Sequence, residues 1–271
     1  MVTRGCEMRG ALLALVLAAA APALAQEDYR HGRLRYVETG VTIQRLGESA
    51  ADEAIANLPF IPGDRLWTDA SGRAELQFAG GGILRVDRGS KLDYVSHDDE
   101  RGSDRFVLRL HAGSLYLHTR ERRDFGDFEI ETPGGLVVPL ERGIFRVDVD
   151  AGETRLSVLS GAATLDSGRR RVTLEAGERS YARRGESPEE ARSFDWRAAD
   201  DFGRWDEERQ GQVAWAGASS RYLPEEMAPY AGELDSHGSW YYETEVGHVW
   251  RPYVAAGWQP YYDGRWMFTV Y

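Results

Sequence analysis

The sequence predicts an all-β domain, then a short helix and a small aromatic-rich module of strands and turns. Three observations predict it: apolar and polar residues alternate through residues 37–182, glycine-containing turns separate these runs, and the composition changes after residue 182. Alternation places one set of side chains on a core and the other set in water, as half-buried strands require. Because no segments of helical period lie between the runs, a parallel α/β sheet is disfavoured. The first domain is therefore expected to be a sandwich, a roll or a solenoid.

Residues 1–25 are typical of a secretory signal. Basic residues precede the apolar run Ala11–Ala21, Pro22 ends that run, and Ala23-Leu24-Ala25 supplies a small-x-small pattern. The run is shorter than the roughly 18–20 residues that a bilayer span needs, and a retained anchor is the alternative. We expect a periplasmic or secreted protein of the bacterial envelope, with no transmembrane segment after cleavage of the signal.

Composition excludes several classes of function. The formal charge is −11, from 44 acidic and 33 basic residues, and this acidity argues against nucleic acid as a partner. Cys6 is the only cysteine and lies in the predicted signal. It cannot support intramolecular disulfides, cysteine-ligated zinc or iron–sulfur clusters, and we expect no cofactor.

The β domain is assigned to residues 26–182. Runs with a clear period of two are Ala74–Phe78, Leu84–Val86, Phe128–Ile130, Phe145–Val149, Leu156–Val158 and Val172–Leu174. Glycine admits a positive φ at little steric cost, so we expect the chain to reverse between the runs. The predicted turns are Gly63-Asp64, Ser71-Gly72, Gly80–Gly82, Gly89-Ser90, Ala112-Gly113, Pro133–Gly135, Ser160-Gly161 and Ala176-Gly177.

Residues 183–192 are polar and are assigned as a linker to a second domain at 193–271. Ala198, Phe202 and Trp205 follow i, i+4, i+7 spacing, which predicts one apolar face of a short helix. Asp195 is the predicted cap of that helix.

The last part of the chain contains a short aromatic repeat. Trp250, Trp258 and Trp266 are eight residues apart, and a proline and a tyrosine keep the same register in each unit. Their rings either form the core of a small module, the favoured interpretation, or bind an envelope protein or the sugar rings of a glycan. The candidate binding residues are Trp240, Trp250, Pro252, Tyr253, Trp258, Pro260, Tyr261 and Trp266.

We find no pattern that predicts catalysis or a metal site. His111 and His118 flank the predicted turn at Gly113 and would meet across a hairpin, although exposed strand positions are the favoured interpretation. Residues 97–100 and 148–153 carry carboxylates, but both stretches are better explained as turns than as cation sites. With no nucleophile elbow and no phosphate loop, we predict that the chain is not an enzyme.

Residues 37–182 resemble the FecR-type periplasmic domain. The matching stretches are Val37–Val41, Pro62–Leu66 with Thr68, Ser71–Leu76, Gly82–Val86, Leu110–Leu115, Thr132-Pro133, Gly143–Val149 and Thr154–Ala162. Residues 193–271 resemble a family of uncharacterised tails fused to such domains. The matching stretches there are Phe194–Trp196, Leu234-Asp235, Gly238–Trp240, Gly247–Pro252, Trp258–Tyr261 and Gly264–Trp266. In relatives the repeat continues further, so this tail looks short or incomplete.

The resemblance implies a function in the envelope. FecR-type proteins relay signals from outer-membrane transporters to a cytoplasmic sigma factor, using a cytoplasmic segment, a membrane helix and a periplasmic domain. We expect only the periplasmic part here, as a non-catalytic scaffold or binding module whose aromatic tail contacts protein or glycan. The alternatives are a periplasmic regulatory sensor in trans-envelope signalling and a hydrolase of envelope polymers.

Overall fold

A computed structural model describes residues 32–78, 82–100, 103–119, 127–212, 218–224, 227, 230–259 and 262. The predicted signal at 1–25 and the candidate binding residues Pro260, Tyr261 and Trp266 lie outside these segments. Within the segments, every helix is too short or too polar to cross a bilayer.

The β domain consists of two sheets, A and B, which share one long strand, and the chain passes repeatedly from one sheet to the other. The described strands of sheet A pair antiparallel throughout. From edge to edge they are β4 (Pro59–Phe60), β1 (Gly32–Val37), β6 (Ala74–Phe78), β7 (Ile83–Val86), β9 (Ser103–His118), β12 (Ile144–Asp150), β13 (Glu153–Ser160), β16 (Glu178–Arg183) and β17 (Arg192–Ser193).

Sheet B is built in the same way around the first half of β9. Here β10 runs parallel to β9, whereas the other described pairings are antiparallel. From edge to edge the strands are β3 (Asp52–Glu53), β2 (Val41–Gln44), β5 (Arg65–Thr68), β8 (Lys91–Glu100), β9, β10 (Asp127–Thr132), β11 (Gly135–Pro139), β14 (Ala162–Asp166) and β15 (Arg171–Glu175). The predicted all-β class is confirmed.

Strand β9 corrects one predicted turn. The chain does not reverse at Ala112-Gly113. It continues as a strand from sheet B, where Leu110 pairs with Leu92, into sheet A, where Leu115 pairs with Val86. Gly113 has a φ of +89°, and a Cβ there would lie 2.2 Å from the Ser90 hydroxyl oxygen. The glycine therefore permits a close approach of β9 to Ser90 where the strand passes from one sheet to the other. A tight turn also requires a glycine with positive φ, so the two cases look alike in the sequence.

The core lies between the sheets. The alternating leucine, isoleucine and valine side chains that the period-two runs identify point inward and form one buried cluster with residues of both sheets. At one end the cluster is aromatic: the Phe78 ring lies 5.3 Å from the rings of both Phe106 and Phe128. Five aromatic rings contribute to this end, namely Phe60, Phe78, Tyr94, Phe106 and Phe128.

The predicted linker folds back on the β domain. Its last residue, Arg192, pairs with Arg179 in β16, and Glu189 donates its backbone N–H to Tyr181. Pro188 is buried. The segment thereby directs the following helix across sheet A.

Helix α1 (Asp201–Gln212) is the predicted short helix, but it begins later than expected. The Asp200 carboxylate accepts the backbone N–H of Gly203 at 2.8 Å and is the cap. Asp195 instead accepts the N–H of Arg197 within a turn, so its prediction as the cap is wrong. Ala198 is exposed ahead of the helix.

The chain then forms a small module. It contains a 3-10 helix (Ala218–Tyr222), helix α2 (Ala231–His237) and a hairpin of β18 (Gly238–Glu243) and β19 (Gly247–Pro252). Trp240 and Trp250 are directly opposite each other in the hairpin.

Candidate functional site: the outer face of sheet A

The outer face of sheet A carries a row of charged and aromatic side chains. Strand register aligns them across neighbouring strands, because each outward residue pairs with the next. In spatial order the row is Tyr36, Glu75, Arg85, Tyr116 and Arg146. A period-two strand is expected to expose this face to water.

Helix α1 covers the row instead. Glu75 and Arg85 have no solvent-exposed surface, although both carry a charge. On the helix, Phe202 and Asp206 are buried, whereas Glu207 and Glu208 one step round the helix are exposed. The face is therefore an interface between the β domain and a segment more than 110 residues away along the chain from Arg85.

Arg85 lies at the centre of a buried ionic cluster. Its Nε donates to Glu75 at 2.8 Å, and its Nη1 donates to the carboxylate of Asp206 at 2.8 Å. The same Nη1 donates to the backbone carbonyl of Asp206 at 2.7 Å. His118 Nε2 lies 2.7 Å from the Asp206 carboxylate, and Arg209 donates to Glu75 at 2.9 Å. Each buried charge thus has an opposite charge in contact, as burial of ions requires.

The cluster holds its carboxylates ionised. Burial alone raises the pKa of Glu75, but the hydrogen bond from Arg209 and the charge of Arg85 outweigh it and lower the pKa below its usual value. Burial also opposes ionisation of Asp206, whereas the hydrogen bond from His118 and the charge of Arg85 lower its pKa overall. Both groups therefore remain negative at neutral pH.

The first turn of α1 adds a second set of ion pairs. Asp200 accepts two hydrogen bonds from Arg146, at 2.9 and 2.7 Å. These bonds and the N–H of Gly203 lower the pKa of Asp200 to about 2, because together they outweigh desolvation, which raises it. Asp201 accepts from Arg73 at 2.6 Å and from Arg88 at 2.8 Å.

Aromatic side chains fill the space between the ion pairs. The Phe202 ring lies 4.9 Å from Tyr116, and the Trp205 ring lies 6.0 Å from Phe202. Trp205 Nε1 donates to Glu38 at 3.1 Å. Arg73 packs over both the Phe202 and the Trp205 rings, at 5.6 and 5.3 Å from their centroids. Phe202 and Trp205 are thus the packed face that helical spacing predicted.

The carboxyl-terminal module contacts the same sheet. Glu233 of α2 accepts hydrogen bonds from Arg33 at 2.5 Å and from Arg35 at 3.0 Å. Arg35 also lies 3.6 Å from Glu75, so it connects the α2 contact to the buried cluster. The Arg33 guanidinium lies over the Tyr230 ring.

The charged groups of this site are engaged within the molecule. Its charges pair with one another, and no three His, Cys, Asp or Glu side chains within the described segments converge to hold a metal ion. The interface combines guanidinium–carboxylate pairs with aromatic anchors, the residue types that dominate specific protein contacts.

The sequence did not identify this site. Its paired charges are far apart in the sequence, and on a strand each alternates with an apolar residue like an ordinary exposed position. The one available signal was the helix itself, in which Asp201, Phe202, Trp205 and Asp206 share a face.

The predicted aromatic residues divide between two environments. Trp240 and Trp250 are partly buried in the module, where their Nε1 atoms donate to the Ser219 hydroxyl at 2.8 Å and to the Leu234 carbonyl at 3.1 Å. Pro252 ends β19 and pairs with Gly238.

Tyr253 and Trp258 follow the hairpin and are exposed, at 68% and 37% of their surface. The first repeat unit therefore runs from a strand into a turn, which the Trp258 N–H closes on the Ala255 carbonyl.

The two histidines near Gly113 do not face each other. Both lie on β9, and His118 is buried in the ionic cluster instead of occupying an exposed strand position. His111 lies in the sheet B half of β9, and its Nε2 atom is 2.8 Å from the carboxylate of Asp93 in β8. The expectation of a hairpin pair and that of two exposed histidines are both wrong, because β9 does not turn and because α1 covers His118.

A polar groove of about 490 Å³ lies beside His111 and is also lined by Arg109, Glu131 and Arg184. Arg109 donates to Glu131 at 2.6 Å, and His111 contacts Asp93. The pKa of Asp93 is lowered because hydrogen bonds from Arg65 and His111 outweigh desolvation. Glu131, the carboxylate that lines the groove, is therefore paired with Arg109.

Comparison with known proteins finds a similarity within the β domain. Residues 64–164 match the family model described as FecR protein. The match runs from the Gly63-Asp64 turn to β14 and confirms the resemblance for that part of the sequence.

Two crystal structures of a candidate anti-sigma factor from Parabacteroides distasonis are similar to the chain. Each has a TM-score of 0.41, with 14% and 13% sequence identity. The similarity covers 48% of this chain, which spans 60% of the length of that protein. No curated protein matches the chain.

Proposed function

We propose that the chain is a non-catalytic regulatory module of the bacterial envelope, which senses a signal and passes it to a separate membrane protein. The observation that carries this proposal is the FecR match over residues 64–164. FecR-type proteins act between an outer-membrane transporter and a cytoplasmic sigma factor, as the resemblance implies. In this proposal the protein acts from the periplasm.

The construction of the outer face supports a role in binding. Arg85 and Glu75 are wholly buried beneath α1, and they belong to β7 and β6 within the FecR match. Charged groups aligned on a rigid sheet are well placed for specific recognition of another polypeptide.

A deletion in the source organism tests the proposal. We expect loss of the chain to change transcription of sigma-factor targets encoded nearby when the nutrient supply is varied, and we expect the intact gene to restore it. RNA sequencing across those conditions is the measurement. Unchanged transcription under every condition would contradict the regulatory function.

A second candidate function rests on the exposed aromatic residues of the tail. Tyr242, Tyr253 and Tyr262 are exposed at 68%, 68% and 84%. Exposed tyrosines suit contact with an envelope protein or a glycan. Pull-down from envelope extract with the full chain and with a Tyr242→Ala/Tyr253→Ala double variant tests this function. Loss of a specific protein or glycan supports it, and identical captured material contradicts it.

A further inference from the structure

The side chains beneath α1 are polar or charged, so water can hydrate them. Arg73, Glu75, Arg85 and His118 are all buried on the outer face. Without α1, water can hydrate each of these groups, and the apolar core between the sheets stays closed. The covered and the uncovered face are therefore both compatible with a folded β domain.

Helix α1 has a composition that suits reversible binding. It contains Gly203 and Gly211, and a helix of 12 residues is marginal in water without a packed face. Beside its aromatic contacts, it is held by ion pairs and cation–π contacts. Buried ion pairs select their partner strongly but contribute little net stability, because desolvation offsets their attraction.

We propose that the outer face of sheet A is an exchangeable docking surface, which α1 covers at rest and which an acidic, aromatic helix of a partner protein occupies after α1 is released. The partner helix presents carboxylates and aromatic rings with the spacing of Asp201, Phe202, Trp205 and Asp206. This inference rests on the proposed function only for the partner's place in a signalling pathway.

Charge complementarity defines the occupant. Four guanidinium groups of the β domain donate to α1 and its cap, from Arg73, Arg85, Arg88 and Arg146. With an aliphatic helix in this position, the three buried guanidinium groups would keep only their partners within the β domain, Asp87, Glu75 and Asp148. Their remaining N–H groups would be buried unpaired, which is unfavourable, whereas a helix with matching carboxylates satisfies them.

Release of α1 also affects the carboxyl-terminal module. Arg35 lies 3.6 Å from Glu75, beneath α1, and donates to Glu233 of α2 at 3.0 Å. Replacement of α1 by a partner helix therefore alters the surroundings of Arg35, the cation that holds α2. Binding at the outer face can thereby affect the carboxyl-terminal module. This arrangement makes α1 an internal competitor for the partner.

Peptide binding to the full chain tests the exchange. The probe is a fluorescent peptide of residues 199–212, which stands in for the partner helix, and anisotropy measures its affinity for wild type, Phe202→Ala and Glu208→Ala. Because apparent affinity scales with the fraction of open protein, we expect Phe202→Ala to bind about 100-fold more tightly than wild type. Glu208 is exposed, so Glu208→Ala should match wild type.

Two controls keep the result specific. A peptide carrying both Phe202→Ala and Asp206→Asn should not bind, and the affinity of the native peptide should fall as salt screens the ion pairs. Asp206→Asn in the full chain is the second opened variant, and circular dichroism confirms that each variant is folded.

The outcomes separate this inference from the proposed function. Gain of peptide affinity in a folded opened variant supports exchange, whatever the transcription experiment shows. No gain in folded Phe202→Ala and folded Asp206→Asn would overturn it. Dimerisation of an opened variant without peptide would also overturn it, because a second copy would then be the occupant.

Discussion

The two faces of sheet A differ more in chemistry than in burial. On β7, Leu84 points into the core and its neighbour Arg85 points outward, yet both are fully buried. The same holds for Leu117 and His118 on β9, of which the histidine is 5% exposed. One face is closed by another sheet through apolar contact, and the other is closed by α1 through paired charges. Equal burial thus has two causes: apolar side chains pack on the inner face, and charged side chains pair with α1 on the outer face.

The largest expected effect comes from the inner face. Phe145→Ala removes a fully buried ring of β12, and we expect the free energy of unfolding to fall by about 3–5 kcal/mol. Chemical denaturation followed by circular dichroism measures it. Tyr242→Ala, at a position 68% exposed, is the control and should change the value by no more than about 0.5 kcal/mol. Similar losses of stability in the two variants would contradict the burial of Phe145 in a core.

A smaller loss is expected on the outer face. Arg85→Met leaves Glu75 and Asp206 with fewer cationic partners, and we expect it to cost about 3 kcal/mol. Arg88→Met is the matched control, since the Arg88 side chain is 41% exposed and its contact with Asp201 lies at the surface. The same denaturation experiment measures both variants. Equal stability of Arg85→Met and wild type would mean that the cluster does not hold α1.

The sequence predicted the inner face of sheet A but not its outer face. Alternation identified the inner face because apolar residues reveal their environment one strand at a time. It could not identify the outer face, because Arg85 resembles a solvated strand residue until α1 is placed above it. The mistaken turn at Gly113 has a related cause, since a positive φ is needed both for a reversal and for a close crossing of strands.

The helix shows what local signals can and cannot fix. Phe202 and Trp205 gave the correct packed face from their spacing. The start was placed too early because Asp195 and Asp200 are both acceptable caps by residue type. Only the hydrogen bond from the Gly203 N–H distinguishes Asp200.

In the tail, two tryptophans of one repeat should differ. Trp250 is partly buried and donates to the Leu234 carbonyl, and we expect Trp250→Ala to destabilise the module by about 2 kcal/mol. Trp258 lies in an exposed turn, and Trp258→Ala should cost no more than about 0.5 kcal/mol. Thermal unfolding monitored by near-ultraviolet circular dichroism compares them. A larger loss for Trp258→Ala would assign that ring to the core.

A graded effect is expected from acid. The pKa of Asp200 is lowered from 3.8 to about 2 in the folded protein, and the pKa of Asp206 is lowered as well. A lowered carboxyl pKa stabilises docking above the undocked value, and this contribution is lost as pH falls through the docked value. The contact of α1 should therefore weaken as the pH falls between about pH 4 and 2. Acrylamide quenching of tryptophan fluorescence follows Trp205, with Trp205→Phe as the reference. A contact that is unchanged down to pH 2 would contradict the assignment to these carboxylates.

Hydrogen exchange of the full chain tests most directly whether α1 closes the outer face. A free helix of this length is marginal in water, so protection of the amides of residues 204–210 reports docking on sheet A. We predict that these amides exchange more slowly than an unstructured peptide and faster than those of β7 and β12, and that Phe202→Ala removes the protection of α1 without affecting the strands. Exchange of α1 at the unstructured rate in wild type, with both strands protected, would contradict it.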